Sequence, residues 1–85
     1  MHNGQPVNLT WLEYQLFRYL MEHEGVTVLR NELLQQVWGH PPDALTRTVD
    51  MHIASLRQKV EGQPKSPEMI ITVPLIGYKF QMYVG

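Results

Sequence analysis

With 85 residues, the chain is long enough for one small domain in which a single core serves every element. Hydrophobic residues make up 44% and cysteine is absent, so we expect a packed globule without disulfides, thiolate metal sites or a thiol nucleophile. The net charge of −1 hides an asymmetry, because residues 1–46 carry two basic and five acidic side chains whereas residues 47–85 carry five and three. An anionic partner should therefore meet the second half.

The first helix is predicted by a capping box. Residues 7–9 form a short extended piece, and Thr10 with Glu13 is the pair that satisfies backbone N–H groups at a helix start. The helix should run to about His23 and end at Gly25, which can adopt the left-handed cap conformation. Its inward apolar positions are Leu12, Leu16, Tyr19 and Leu20, and its expected surface positions are Glu13, Gln15, Arg18 and Glu22.

A short β-branched stretch, residues 26–28, precedes the second helix, which we expect over residues 30–38 with Gly39 closing it. Its inward side chains are Leu33, Leu34 and Val37. Leu29 stands where a capping side chain is expected, so that role should fall to Asn31 or to water. Two consecutive prolines then place residues 40–45 in a loop.

The third helix follows Thr46, which we interpret as its capping residue. A spacing of 100° per residue puts the apolar residues Val49, Ile53, Leu56 and Val60 in one narrow sector. The opposite sector holds Arg47, Met51, Ala54, Ser55 and Gln58. His52 and Lys59 flank one side of that face, and Asp50 and Arg57 flank the other.

The last third of the chain predicts a β-hairpin. "MIITV" has the β-branched composition of a strand, "PLIG" that of a turn, and "YKFQMYV" alternates as a returning strand. Three helices followed by a hairpin are an α+β winged helix-turn-helix arrangement. A major groove about 12 Å wide admits one helix, and the hairpin can reach the next minor groove.

Four separated blocks also resemble one protein family. "LTWLEYQLFRYL", "LRNELLQQVWG", "TRTVDMHIASLRQKV" and "IITVPLIGYKF" occur in the order and spacing of the OmpR/PhoB-type effector domain of bacterial response regulators. The resemblance covers residues 5–81 of a single domain, 1–85. The family domain opens with a four-stranded sheet, of which only the last strand is expected here, at residues 7–9. The phosphate-receiving domain is expected to be absent from this chain.

The resemblance implies sequence-specific binding of double-stranded DNA by the output domain of a two-component system. The third helix would enter the major groove, and direct-repeat half-sites would be the target. The loop at residues 39–45 would touch RNA polymerase, and this stretch alone would be monomeric and without a cofactor. The DNA-binding positions implied are Arg30, Trp38, Arg47, Thr48, Met51, His52, Ser55, Arg57, Gln58, Lys59, Thr72, Tyr78 and Lys79.

Three positions depart from the family pattern, because Ala54, Ser55 and Pro74 stand where arginines are common. Each lost phosphate contact lowers affinity and flattens its salt dependence, so we expect a weaker DNA binder than its relatives. Base recognition would then rest on Met51 and Ala54 against thymine methyl groups. Gln58 or Ser55 would form hydrogen bonds with a base edge, and Gln58 can pair with adenine through two of them.

Several of these residues also have a structural interpretation. Arg47 could be a solvated surface residue, and Arg57 could pair with Glu61 four positions later. Trp38 could belong to the core, and Thr72 could serve simply as a β-branched strand residue. Tyr78 could pack its ring and still present its hydroxyl to a phosphate.

Catalysis and membrane insertion are not expected. Asp50 and His52 lie on opposite flanks of the third helix, and the four histidines show no metal-ligand spacing. No apolar run approaches the roughly 20 residues of a membrane span, and no secretion-signal pattern opens the chain, so we expect a cytoplasmic location. The alternative to DNA binding is a protein-interaction module that docks through Met51, Ala54 and Gln58.

Overall fold

The computed structural model describes residues 8–39, 46–63 and 65–81. The helices are α1 (Trp11–Glu22), α2 (Arg30–Leu33), which continues as a π-helical segment (Leu34–Trp38), and α3 (Arg47–Val60). The strands are β1 (Thr27–Leu29), β2 (Ile70–Val73) and β3 (Gly77–Phe80). The predicted three helices and hairpin are thus confirmed, and we call the β2–β3 hairpin the wing.

Parts of three predictions differ from the structure or lie outside the described residues. Of the expected N-terminal strand, Asn8 and Leu9 lie in no strand and Leu9 packs against the core, while residue 7 is not described. The loop residues 40–45 and the end of the return strand, residues 82–84, also lie outside the described part.

The capping box at the start of α1 forms as predicted. The Thr10 hydroxyl oxygen accepts the Glu13 N–H at 3.2 Å, and Glu13 Oε1 accepts the Thr10 N–H at 2.9 Å. The helix ends at Glu22, and Gly25 adopts the expected left-handed conformation with φ +80°. The prediction that Glu13 lies on the surface is wrong, because its side chain is buried. This carboxylate faces α3, where it accepts Ser55 and Lys59.

The start of α2 is satisfied by the wing and not by a side chain. Leu29 makes no side-chain cap, and the Arg30 N–H donates to the Ile76 carbonyl at 3.3 Å. The expected Asn31 cap is therefore not what the structure shows. At the other end Gly39 has φ +75° and its N–H donates to the Gln35 carbonyl, so the predicted glycine stop is confirmed.

The α3 helix buries most of the predicted stripe, since Val49, Ile53 and Leu56 are fully inaccessible and Val60 is half-buried against the core. Thr46 is not the capping side chain that the sequence indicated. Its backbone is already helical, with φ −83° and ψ −2°, and its side chain makes no cap hydrogen bond. Its carbonyl instead accepts the Val49 N–H at 3.0 Å, so Thr46 extends the first turn.

The wing gains a third strand from β1, in the antiparallel order β1-β3-β2. Gly77 makes this possible, because any Cβ at that position would collide with the Val28 carbonyl oxygen. The core lies between the sheet and the helices. Its members are Leu16, Leu20, Val28, Leu33, Leu34, Val49, Ile53, Leu56, Ile70, Tyr78 and Phe80.

Candidate nucleic-acid interface

The side of α3 that faces away from the core is only weakly charged. We call it the outer face, formed by Arg47, Met51, Ala54 and Gln58, all of which are exposed. The Met51 side chain is 64% exposed. Thr48 and His52 are half-buried beside it. Five of the α3 positions predicted to contact DNA therefore lie on or beside this face, namely Arg47, Thr48, Met51, His52 and Gln58.

Two other predicted positions, Ser55 and Lys59, turn away from the outer face and hold α3 against α1. The Ser55 hydroxyl donates to Glu13 Oε2 at 2.6 Å, and the Lys59 ammonium donates to Glu13 Oε1 at 2.7 Å. Burial raises the pKa of Glu13, but the hydrogen bonds from Lys59, Ser55 and the Thr10 N–H outweigh it and lower the pKa to about 2. The carboxylate is thus a charged anchor between two helices.

Sequence reasoning missed this anchor although a signal was present. Glu13, Leu16 and Leu20 stand at spacings of three and four, so Glu13 shares the helix face that carries the two buried leucines. A carboxylate on that face requires a partner, because an unpaired buried charge is costly. Lys59 and Ser55 supply it from α3.

Arg57 is the second anchor, and it ties α3 to β2. Its guanidinium donates to the Ile70 carbonyl from Nε at 3.1 Å and from Nη2 at 2.6 Å, and to the Thr72 hydroxyl at 2.8 Å. The guanidinium carbon also lies 5.6 Å from the centre of the Tyr78 ring, and burial lowers the pKa of Arg57. The pairing with Glu61 considered from the sequence is not formed. That carboxylate is buried and accepts backbone N–H groups at the start of β2.

Asp50 is the third anchor, and it joins α3 to both α2 and β3. Its Oδ1 accepts Nε of Arg30 at 3.0 Å and the Tyr78 hydroxyl at 2.6 Å. Burial and this hydrogen bond raise the pKa of Tyr78 to about 12, and the Asp50 charge raises the pKa of Arg30. The Tyr78 ring is buried in the core, and its hydroxyl donates its proton to Asp50.

Trp38 and His52 close the other flank of α3. Their rings meet edge to face with centroids 5.1 Å apart, and His52 Nδ1 donates to the Thr48 carbonyl at 2.9 Å. Trp38 is half-buried and packs against the core, as its structural interpretation predicted. These contacts fix the orientation of His52 at the margin of the outer face.

The wing carries the remaining predicted positions. Thr72 is exposed on β2 and Lys79 is half-buried on β3. At the tip, Leu75 is 94% exposed and Ile76 is 49% exposed. The tip borders a cleft of about 270 Å³ at the start of α2, close to the residue that precedes α3. Its lining residues are Leu29, Arg30, Asn31, Thr46, Leu75 and Ile76.

Within the residues that the structure describes, no three acidic, histidine or cysteine side chains come together as a metal site. Nor does any helix in those ranges have the length and apolar character to cross a bilayer.

A family model described as "Transcriptional regulatory protein, C terminal" matches residues 4–80. One relative, "Probable transcriptional regulator ycf27" of Cyanophora paradoxa, is 42% identical over 81 residues, which is 93% of this chain. The chain spans about a third of that relative's length, 34%.

Two solved structures share the fold. The response regulator DrrB of Thermotoga maritima, described as an OmpR/PhoB homolog, superposes with a TM-score of 0.84 at 32% identity, covering 93% of this chain and 36% of that one. The RstA DNA-binding domain of Klebsiella pneumoniae, solved in complex with the RstA box, also gives 0.84 at 32% identity, covering 95% and 80%.

Proposed function

The chain belongs to the OmpR/PhoB-type family of transcriptional-regulator C-terminal domains, and on that premise we propose that it binds double-stranded DNA to regulate transcription. It would do so sequence-specifically, as the output domain of a two-component response regulator. The main support for the proposal is that the two sides of α3 differ in their contacts. Its inner and lateral polar groups are held by α1, α2 and the wing, whereas its outer face stays exposed.

In this proposal the outer face of α3 enters the major groove. Arg47 has no ion-pair partner among the described residues, so its guanidinium is available to a phosphate. Met51 and Ala54 present methyl groups to thymine, and Gln58 presents an amide that can pair with adenine. Thr48 and His52 border this surface. Ser55 contributes less than the sequence suggested, because its hydroxyl donates to Glu13.

The remaining predicted positions divide by their contacts. Thr72 and Lys79 place a hydroxyl and an ammonium on the wing, where they can follow the DNA backbone. Arg30, Arg57, Lys59 and Tyr78 act mainly as positioning residues, because each already has a protein partner. Trp38 positions His52. Few basic side chains are therefore left to contact phosphates, which agrees with the modest DNA affinity expected from the missing arginines.

We extend the proposal to the partners that the family resemblance implies. Two copies would occupy direct-repeat half-sites, since linkage on DNA compensates for a weak single contact. The loop at residues 39–45, most of which lies outside the described residues, would meet RNA polymerase. The domain would be monomeric without DNA, would act in the cytoplasm, and would have neither catalytic activity nor a cofactor.

An amide NMR titration tests the proposal directly. The 85-residue chain selects duplexes from random DNA, and the best duplex with two direct half-sites is then titrated at low and moderate salt. We expect shifts at residues 47–58 and 72–79 that fade as salt rises. Failure to select any duplex, with no shifts on the outer face, would overturn DNA binding and favour a protein partner for Met51 and its neighbours.

Base recognition by Gln58 is tested by repeating the selection. Gln58→Ala should change the preferred base at one position, whereas Gln36→Ala, an exposed glutamine on the π-helical segment, should leave the preference unchanged. An unchanged preference in Gln58→Ala would exclude Gln58 as a base contact.

A further inference from the structure

The tip of the wing has a conformation that its sequence does not favour. Pro74 and Leu75 occupy the two central positions of a turn closed by the Ile76 N–H, which donates to the Val73 carbonyl at 3.0 Å. Leu75 has φ +67°, the only non-glycine residue with positive φ in the described part of the chain. Proline followed by positive φ is the pattern of a type II turn, whose third position normally takes glycine or asparagine. A leucine there is strained, because its Cβ crowds the backbone.

Packing does not explain this leucine. Leu75 is 94% exposed, so the fold gains almost no buried apolar surface from it. Glycine would relieve the strain and give up almost no buried surface. A strained residue that contributes nothing to the core is a candidate for a functional contact.

The position of the tip indicates which contact. Leu75 and Ile76 form one wall of the 270 Å³ cleft, and Thr46, one residue before Arg47, lies on another. The tip therefore shares this cleft with the residue that leads into α3 and its outer face. It is also uncharged, since Pro74, Leu75 and Ile76 are all apolar. An exposed apolar tip beside a groove-binding helix has the chemistry of side chains that insert between base pairs from the minor groove.

We propose that Leu75 is an apolar wedge that enters the DNA minor groove and partly unstacks one base step there. The inference rests on the proposed function. It adds that the preferred DNA has a flexible pyrimidine–purine step next to the bases contacted by α3. Such steps are the easiest to kink, so the wing would select sequence by deformability without a hydrogen bond. Ile76, which is 49% exposed, would cover the edge of the opened step.

The experiment compares Leu75→Gly with Leu75→Met in the full chain, using a duplex selected by the unmodified protein. Leu75→Gly should melt at the same or a higher temperature, because glycine accepts φ +67°. It should nevertheless bind roughly tenfold more weakly, since a buried leucine contributes about that much affinity. Leu75→Met should stay within about threefold of the unmodified protein, because it keeps an apolar side chain of similar volume.

A second readout reports the wedge itself. In duplexes with 2-aminopurine at the step facing the wing, fluorescence should rise on binding of the unmodified protein and of Leu75→Met, but not of Leu75→Gly. Replacing that step by the stiff sequence AA should weaken the unmodified protein and leave Leu75→Gly unaffected. Leu29→Asn, which changes a half-exposed leucine on the same cleft, is the matched control and should keep the fluorescence response.

Unchanged affinity in Leu75→Gly would overturn the wedge while leaving the proposed function intact. So would weaker binding without a fluorescence change or step dependence. A loss of self-association in Leu75→Gly, with unchanged binding to a single half-site, would identify the tip as a contact between protein copies. Failure to select any duplex would overturn the proposed function, and the wedge with it.

Discussion

The two sides of α3 use charged residues in opposite ways. On the inner and lateral sides, Asp50, Arg57 and Lys59 all contact side chains or carbonyl groups of other elements. On the outer face, Arg47 is the one charged residue and stands beside Met51 and Ala54. The charge of this helix therefore serves mainly to hold it in place.

This difference changes the meaning of the positive second half of the chain. Composition alone suggested that its basic residues await an anionic partner, but two of them already have protein partners. A rigidly held helix can present weak contacts accurately, because little conformational freedom is lost on binding. If α3 is divided in this way, substitutions of the anchored residues should change stability, whereas substitutions on the outer face should change only DNA binding.

The largest effect is expected at Glu13. Glu13→Gln removes a buried carboxylate that accepts Ser55, Lys59 and the Thr10 N–H, and should lower the free energy of unfolding by about 3 kcal/mol. Urea denaturation measures this change. Glu22→Gln, which breaks an exposed ion pair with Arg18 on the same helix, is the control and should unfold close to the wild-type midpoint. Equal effects of the two variants would contradict the anchor.

The same carboxylate predicts how stability depends on pH. Because the pKa of Glu13 falls from 4.5 to about 2 on folding, its contribution is fully present above pH 4.5 and is lost as the pH falls toward 2. The wild-type free energy of unfolding should therefore decline across this range more steeply than that of Glu13→Gln. Parallel pH profiles would show that the carboxylate is not held in its charged form.

Arg57 should have the next largest effect. Arg57→Met keeps an apolar stem but loses the hydrogen bonds to the Ile70 carbonyl and the Thr72 hydroxyl, so it should destabilise the fold by about 1.5 kcal/mol. Arg47→Met, the matched change on the outer face, should stay within about 0.5 kcal/mol of wild type. A larger loss in Arg47→Met than in Arg57→Met would reverse the proposed division of α3.

Among the anchors, the smallest stability effect is expected from Tyr78→Phe, which removes only the hydroxyl that donates to Asp50 at 2.6 Å. We expect a loss of about 1 kcal/mol in thermal or urea denaturation. Asp50 retains Arg30, so the link between α2 and α3 should persist. A stability equal to wild type would mean that the hydroxyl is free to meet a phosphate, as the sequence alone allowed.

Local features of the sequence were sufficient to predict the three helices and the wing, although not the absence of a strand at Asn8 and Leu9. The Thr10–Glu13 capping box, the apolar period of α3 and the glycine after the second helix each depend on residues within a few positions of one another. The same is true of the wing, whose β-branched strands flank a proline turn. For such features the family resemblance and the residue patterns agree, and the structure confirms them.

The anchors could not be predicted in the same way. Glu13 meets Ser55 and Lys59 across 42 and 46 residues of sequence, and Arg57 meets a backbone carbonyl, which carries no residue-specific signal. Thr46 looked like a cap because threonine commonly is one, yet the helical backbone before Arg47 overrides that preference. Positive φ at Leu75 is likewise set by the turn geometry and not by the residue.

The most direct test of the division within α3 is the salt dependence of DNA affinity for the wild type, Arg47→Met and Arg57→Met on one selected duplex. Each lost phosphate contact should reduce the steepness of log affinity against log salt by about 0.9. We predict that reduction in Arg47→Met and an unchanged slope in Arg57→Met. A flatter slope in Arg57→Met with none in Arg47→Met would show that the anchored arginine, and not the outer face, meets the DNA backbone.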